Sequence, residues 1–175
     1  MARRKVIMKE LRPVSSSKEQ RILRRFFPEG KGKLDGILEQ GLLGPDAPEM
    51  REFGKFESKW IMGGIYCILT YDVHLFESGK KKERSQGHCV LGWDTHASEY
   101  RMLRAANLGV LFQLRGRLEG NSLAFTSDET MIKGKQTRVR YTFIKKRSRE
   151  TIWIAELMTR GSPWKMVGRD ILTYS

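Results

Sequence analysis

The sequence predicts an all-β domain of mainly antiparallel strands, a sandwich or an up-and-down barrel of about eight to ten strands, entered through one short helix. Three observations carry this. Strand-prone runs recur at intervals of about ten residues, turn chemistry separates them, and several runs alternate apolar with polar side chains. The 175 residues fit a single domain that buries enough surface to need neither metal nor disulfide.

Ser15-Ser16-Ser17-Lys18-Glu19 begins the helix. Ser16 followed by Glu19 has capping-box spacing, Ile22, Leu23 and Phe26 recur at helical intervals, and Pro28 and Gly30 end the run. The helix is expected to pack across an opening or an outer wall of the domain. Lys33 to Glu39 reads as a first strand, and Gly44-Pro45-Asp46-Ala47-Pro48 as a loop. Phe56 to Phe76 is too long for one strand. Gly63-Gly64 should bend or bulge it, and an interruption near Asp72 would make it a hairpin. Strands are then expected over 83–93, 99–105, 108–118, 122–127, 137–146, 151–159 and 165–174, with tight turns at Ser78-Gly79-Lys80, Glu119-Gly120-Asn121-Ser122 and Gly161-Ser162-Pro163.

Alternation sorts some faces. Val139, Tyr141 and Phe143 oppose Arg138, Arg140 and Thr142, and Phe112 and Leu114 oppose Gln113 and Arg115. Residues 60–71 are apolar on both faces, which predicts a cover, either the N-terminal helix or a second copy in a homodimer.

The formal charge is +13, and residues 1–31 supply +7 of it from ten Lys/Arg against three Asp/Glu. The chain therefore divides into a basic N-terminal arm with a short helix, 1–31, and a single β-barrel domain, 32–175. Smaller clusters lie at Lys80-Lys81-Lys82 and Lys145-Lys146-Arg147. They read as solvated turns that discourage edge pairing, or as contacts for a nonspecific polyanion. Cys67 and Cys89 read as buried free thiols. No signal-peptide pattern and no bilayer-length apolar stretch is present, so a cytoplasmic protein without a membrane span is expected.

Three landmarks occur in order: Trp60-Ile61-Met62-Gly63-Gly64-Ile65-Tyr66, then Gly92-Trp93-Asp94 with Tyr100 beyond, then Leu118-Glu119-Gly120-Asn121-Ser122-Leu123. This order resembles a bacterial family of unknown function with a lipocalin-like, calycin-type β-barrel, over about residues 32–174. The resemblance implies an antiparallel barrel with an interior cavity. It carries no reaction, because fold analogy does not assign one. The lysine-rich insert after Phe76 and the basic arm depart from the pattern.

Each landmark has a structural reading beside the functional one. Gly63-Gly64 bends a strand or admits a ligand to the backbone. In Gly92-Trp93-Asp94 the aspartate caps backbone amides while Trp93 plugs a barrel end, or the motif marks a binding site. Trp60, Tyr66, Trp93, Tyr100, Phe112, Tyr141 and Trp153 are core residues or the aromatic lining of a pocket for a small apolar or aromatic molecule. Glu156 shares parity with Ile152, Ile154 and Met158. An inward position would make it a candidate catalytic acid or base, whereas an outward one would pair it with Arg140.

No metal-ligand spacing is present: His74, His88 and His96 lack HxH or HxxxH spacing, and CxxC is absent. A single axial histidine for haem leaves no spacing signature, so the cofactor is unassigned. No nucleophile elbow or phosphate-binding glycine loop occurs. The leading expectation is a small-molecule-binding barrel, followed by an enzyme on the same barrel, then a polyanion-binding protein using the arm.

Overall fold

The computed structural model describes residues 17–40, 48–107, 109–132 and 134–175. Ser16, Leu108, most of the Gly44–Pro48 loop and most of the basic arm lie outside the described residues. Among the described residues one helix, α1 (Lys18–Phe26), precedes eleven strands: β1 (Gly30–Leu38), β2 (Met50–Ile61), β3 (Tyr66–Glu77), β4 (Lys80–Asp94), β5 (Glu99–Ala106), β6 (Val110–Glu119), β7 (Ser122–Ser127), β8 (Thr130–Ile132), β9 (Lys135–Arg147), β10 (Glu150–Thr159) and β11 (Lys165–Tyr174). Each of β1 to β6 pairs antiparallel with its successor, β7 pairs with β9, and β9, β10, β11 and β1 close the circuit. The result is a closed ten-strand antiparallel barrel of up-and-down order, with β8 a short flap on β9. No described helix is long and apolar enough to cross a membrane.

The observed strands match the expected ones closely and differ at a few places. The long run 56–76 is interrupted at Gly63-Gly64, not at Asp72. Met62, Gly63 and Gly64 all take positive φ (51°, 67° and 89°) in a 3-10 turn that reverses the chain. Asp72 instead sits mid-strand, paired with Lys55 and Gln86. The helix starts one residue later than expected. Ser17 Oγ accepts from Gln20 N at 3.2 Å and Gln20 Oε1 accepts from Ser17 N at 2.8 Å, a capping box in the next frame of the serine triplet. Strand β8 and the first half of β2 have no clear strand pattern in the sequence.

α1 closes one end of the barrel. Leu23, Phe26 and Phe27 are buried in the core, and Phe27 meets Phe143 edge-on at 4.8 Å. The helix's last carbonyls lack intrahelical donors, and barrel side chains supply them. Thr151 Oγ1 donates to Phe26 O at 3.0 Å, Trp60 Nε1 donates to Phe27 O at 2.9 Å, and Ser58 Oγ donates to Pro28 O. Below the plug, Phe56, Leu69, Leu91, Leu114, Phe125 and Phe143 fill this half of the barrel. Packing here is dense because glycines stand where rings cross: a Cβ on Gly116 would meet Phe125 at 2.6 Å, and one on Gly32 would meet Phe56 at 2.6 Å.

Candidate functional site

The half of the barrel away from α1 is hollow. Its cavity measures about 940 Å³, within the range of small-molecule sites. Leu38, Met50, Leu75, Lys82, Glu83, Leu111, Met131 and Leu157 line it toward the strand ends, and Leu34, Tyr71, Arg104, Tyr141, Trp153 and Asp170 line it nearer the packed core.

Strand alternation places the polar residues. On β5, Tyr100, Met102, Arg104 and Ala106 share the inner face, so Arg104 enters the barrel in line with core residues. Its guanidinium lies among aromatic rings, 4.9 Å from the centroid of Tyr141, 5.5 Å from Trp153 and 5.7 Å from Tyr71. Nη2 donates to Tyr71 Oη at 2.9 Å and Nη1 donates to Tyr141 Oη. No carboxylate lies within ion-pair distance of Arg104 among the described residues, and its buried Nε has no partner there. Burial alone would lower the guanidinium's pKa. The Tyr141 and Tyr71 oxygens outweigh it, the net shift is upward, and the group stays charged. Burial pushes both phenols up as well, against the opposing pull of Arg104, so they remain neutral.

Gly87 makes this arrangement fit. It is the cross-strand partner of Tyr71, whose ring lies over it, and a Cβ there would stand 2.3 Å from the phenol oxygen.

A second polar group lies on the opposite wall. Glu52, Gly36, Asp170 and Trp153 are successive partners across β2, β1, β11 and β10. Because Gly36 has no side chain, the carboxyls of Glu52 and Asp170 meet over it; a Cβ at Gly36 would stand 1.8 Å from Asp170 Oδ1. Both acids are buried and line the cavity. Burial drives the Asp170 carboxyl well above the usual carboxylate range, the neighbouring Glu52 adds to the rise, and Arg104 opposes it. Asp170 therefore keeps its proton beside Glu52.

The structure separates the aromatics singled out in the sequence. Phe112, Tyr141 and Trp153 line the cavity. Trp60 and Tyr100 lie at the plugged end, where Tyr100 Oη donates to Glu19 O at 3.3 Å and Arg24 stacks over Trp60 at 4.2 Å. Trp93 packs edge-on against Tyr100 at 4.9 Å, and Tyr66 lies on the outer wall over Gly92. Asp94 Oδ1 accepts from His96 N and Ala97 N, both at 3.0 Å, the capping turn expected of Gly92-Trp93-Asp94.

Glu156 has the parity expected of it, but its face is the outer one, since Trp153, Ala155 and Leu157 are the residues of β10 that line the cavity. It forms a two-pronged ion pair with Arg140, both bonds at 2.6 Å, with Arg140 stacked on Trp164 at 4.4 Å.

None of the three histidines lines the cavity. Cys67 and Cys89 are buried free thiols, pushed up by burial to about 12 and about 11, and so unreactive at neutral pH. The basic clusters lie within β4 and β9 and not in turns, and are partly matched by acids: Lys82 with Glu77 at 2.7 Å and Lys146 with Glu150 at 3.5 Å.

Arg104, Tyr71, Glu52 and Asp170 were not singled out from the sequence. The usable signal was a charged residue in phase with an apolar face: Arg104 with Met102, and Asp170 with Leu172 and Tyr174.

No family model matches the chain, and no curated protein matches it by sequence. Sixteen chains of solved structures match its fold. One is the crystal structure of Rv2717c from M. tuberculosis, with a TM-score of 0.63 and 11% identity, covering 92% of this chain and 99% of that one. At that identity the likeness is one of fold: both chains form the same kind of antiparallel β-barrel.

Proposed function

We propose that this protein binds a small, largely apolar molecule with a flat or aromatic body inside the barrel. The observation that carries the reading is the cavity of about 940 Å³, walled by aliphatic and aromatic side chains with a few polar groups. Phe112, Tyr141 and Trp153 offer flat apolar surface to such a ligand. Membership of the bacterial lipocalin-like family belongs to the same proposal, as does a cytoplasmic location; the ten-strand antiparallel barrel supports the former. The test is mass spectrometry of an organic extract of the purified protein, together with titration by the neutral dye Nile red. A stoichiometric co-purified molecule, or saturable dye binding that Ala155→Phe abolishes by filling the cavity, is the expected result. An empty protein whose dye binding survives Ala155→Phe would overturn it.

The Glu52–Asp170 pair favours a second reading, an enzyme acting in the same cavity. A buried carboxyl holding its proton beside a second carboxyl suits general acid catalysis. Under this reading, the extracted molecule returned to fresh protein acquires a changed mass with the wild type and not with Asp170→Asn.

A further inference from the structure

We infer that the cavity's occupant is an amphipathic monoanion, a carboxylic acid with an apolar tail, whose carboxylate sits on Arg104 between Tyr71 and Tyr141. This rests on the reading of the cavity as a small-molecule site and names the chemistry that site selects.

The argument is one of unspent donors. A guanidinium carries five N–H groups and no acceptor. Arg104 directs one to each phenol, and its Nε–H has no partner among the described residues. Each phenol oxygen accepts from Arg104, which leaves its own hydrogen to donate, and neither finds an acceptor among the described residues. Trp153 Nε1 is likewise buried without a partner among the described residues. Donors from β3, β5 and β9 thus surround a half-buried positive charge that has no carboxylate within ion-pair distance among the described residues. Leaving such groups unpaired is costly, and a ligand with two adjacent oxygens bearing one negative charge satisfies the most of them at once.

The walls decide what is attached to the head. Phe112, Val139, Leu157 and Leu34 are apolar, so the remainder of the molecule is apolar too. Asp170 on the opposite wall does not exclude an anion, because burial keeps its carboxyl protonated.

The experiment displaces Nile red from the full chain with four competitors: dodecanoate, methyl dodecanoate, naphthalene-2-carboxylate and its methyl ester. The alkyl and aryl arms separate a lipid tail from an aromatic one. At least one acid is expected to outcompete its own ester by about thirtyfold, the scale of a charge-assisted bond. Arg104→Met should cut that acid's affinity by about tenfold to a hundredfold and leave its ester within about threefold. Should Arg104→Met fold poorly, the double variant Tyr71→Phe/Tyr141→Phe keeps both rings and should lose most of the acid preference. Acids and esters that compete equally well overturn the anion site and leave the small-molecule cavity standing. An acid preference that survives both variants also overturns the assignment to Arg104. Failure of all four to displace the dye overturns the inference, and failure of Nile red itself to bind removes the cavity reading beneath it.

Discussion

Alanine at position 87 tests how the polar lining of the cavity is held. Gly87 is directly opposite Tyr71, and a Cβ there would lie 2.3 Å from the phenol oxygen, 2.4 Å from Cζ and 2.7 Å from Cε1. Ordinary contact begins near 3.4 Å, so the ring must retreat by about 1 Å. That retreat stretches the 2.9 Å bond from Arg104 beyond hydrogen-bonding range. Overpacking costs about 1–3 kcal/mol, and a hydrogen bond to a charged group about 1.5–3 kcal/mol. Replacing glycine in a strand returns about 0.5–1 kcal/mol, so Gly87→Ala should destabilise by about 2–5 kcal/mol. In a chain of this length that lowers Tm by roughly 5–15 °C. Thermal and urea unfolding followed by tryptophan fluorescence measure it, in a double-mutant cycle with Tyr71→Ala. Without the ring, Gly87→Ala should be neutral or slightly stabilising. Equal cost in both backgrounds would refute the packing argument.

Asp170→Asn keeps the shape of a carboxyl that the fold holds protonated, and removes its titration. The folded-state pKa lies above the unfolded one, so wild-type stability is complete below about pH 4 and falls as pH rises toward the raised pKa. Urea unfolding at several pH values should therefore show the wild type losing ground to Asp170→Asn by up to about 1.4 kcal/mol per pH unit; a gap constant with pH would contradict this. Phe27→Ala empties the fully buried seat against Phe143 and should cost about 3–5 kcal/mol, with protease sensitivity at α1 as the companion readout. A variant as stable as the wild type would show that the plug is not part of the core. Glu156→Gln breaks the outer-wall pair with Arg140 at a cost of about 1 kcal/mol and leaves Nile red affinity unchanged; a large loss of dye affinity would place Glu156 at the cavity after all.

The barrel was largely legible because its signals are local. Ser122–Ser127 and Lys165–Tyr174 coincide with the expected strands, since Gly120 and Gly161 supply the positive φ their turns require. The closing pair β1–β11 was not legible, because no local pattern records a partner more than a hundred residues away. The aromatics divide between the two ends of the barrel for a similar reason: parity brings both Tyr100 and Tyr141 inside, but not to the same end. Glu156 shows the limit of parity itself, which fixes a shared face and leaves open which side that face takes. Arg104 was overlooked because an inward-facing cation runs against the usual expectation of apolar interiors. Its phase with Met102 was visible throughout.

The pairing of β1 with β11, from Gly32 with Tyr174 to Leu38 with Gly168, has a consequence for how the chain acquires its shape. As the polypeptide emerges during synthesis, β1 waits with one row of amides and carbonyls open until the final strand appears. β10 waits with the matching row for less time. Through that interval the molecule is an open, curling sheet with two sticky margins, each able to recruit another chain. Closure is a contact of long sequence separation, which slows folding. A chain cut before residue 165 would never leave that stage. Its expected fate is a β-rich aggregate, however well its first ten strands pair.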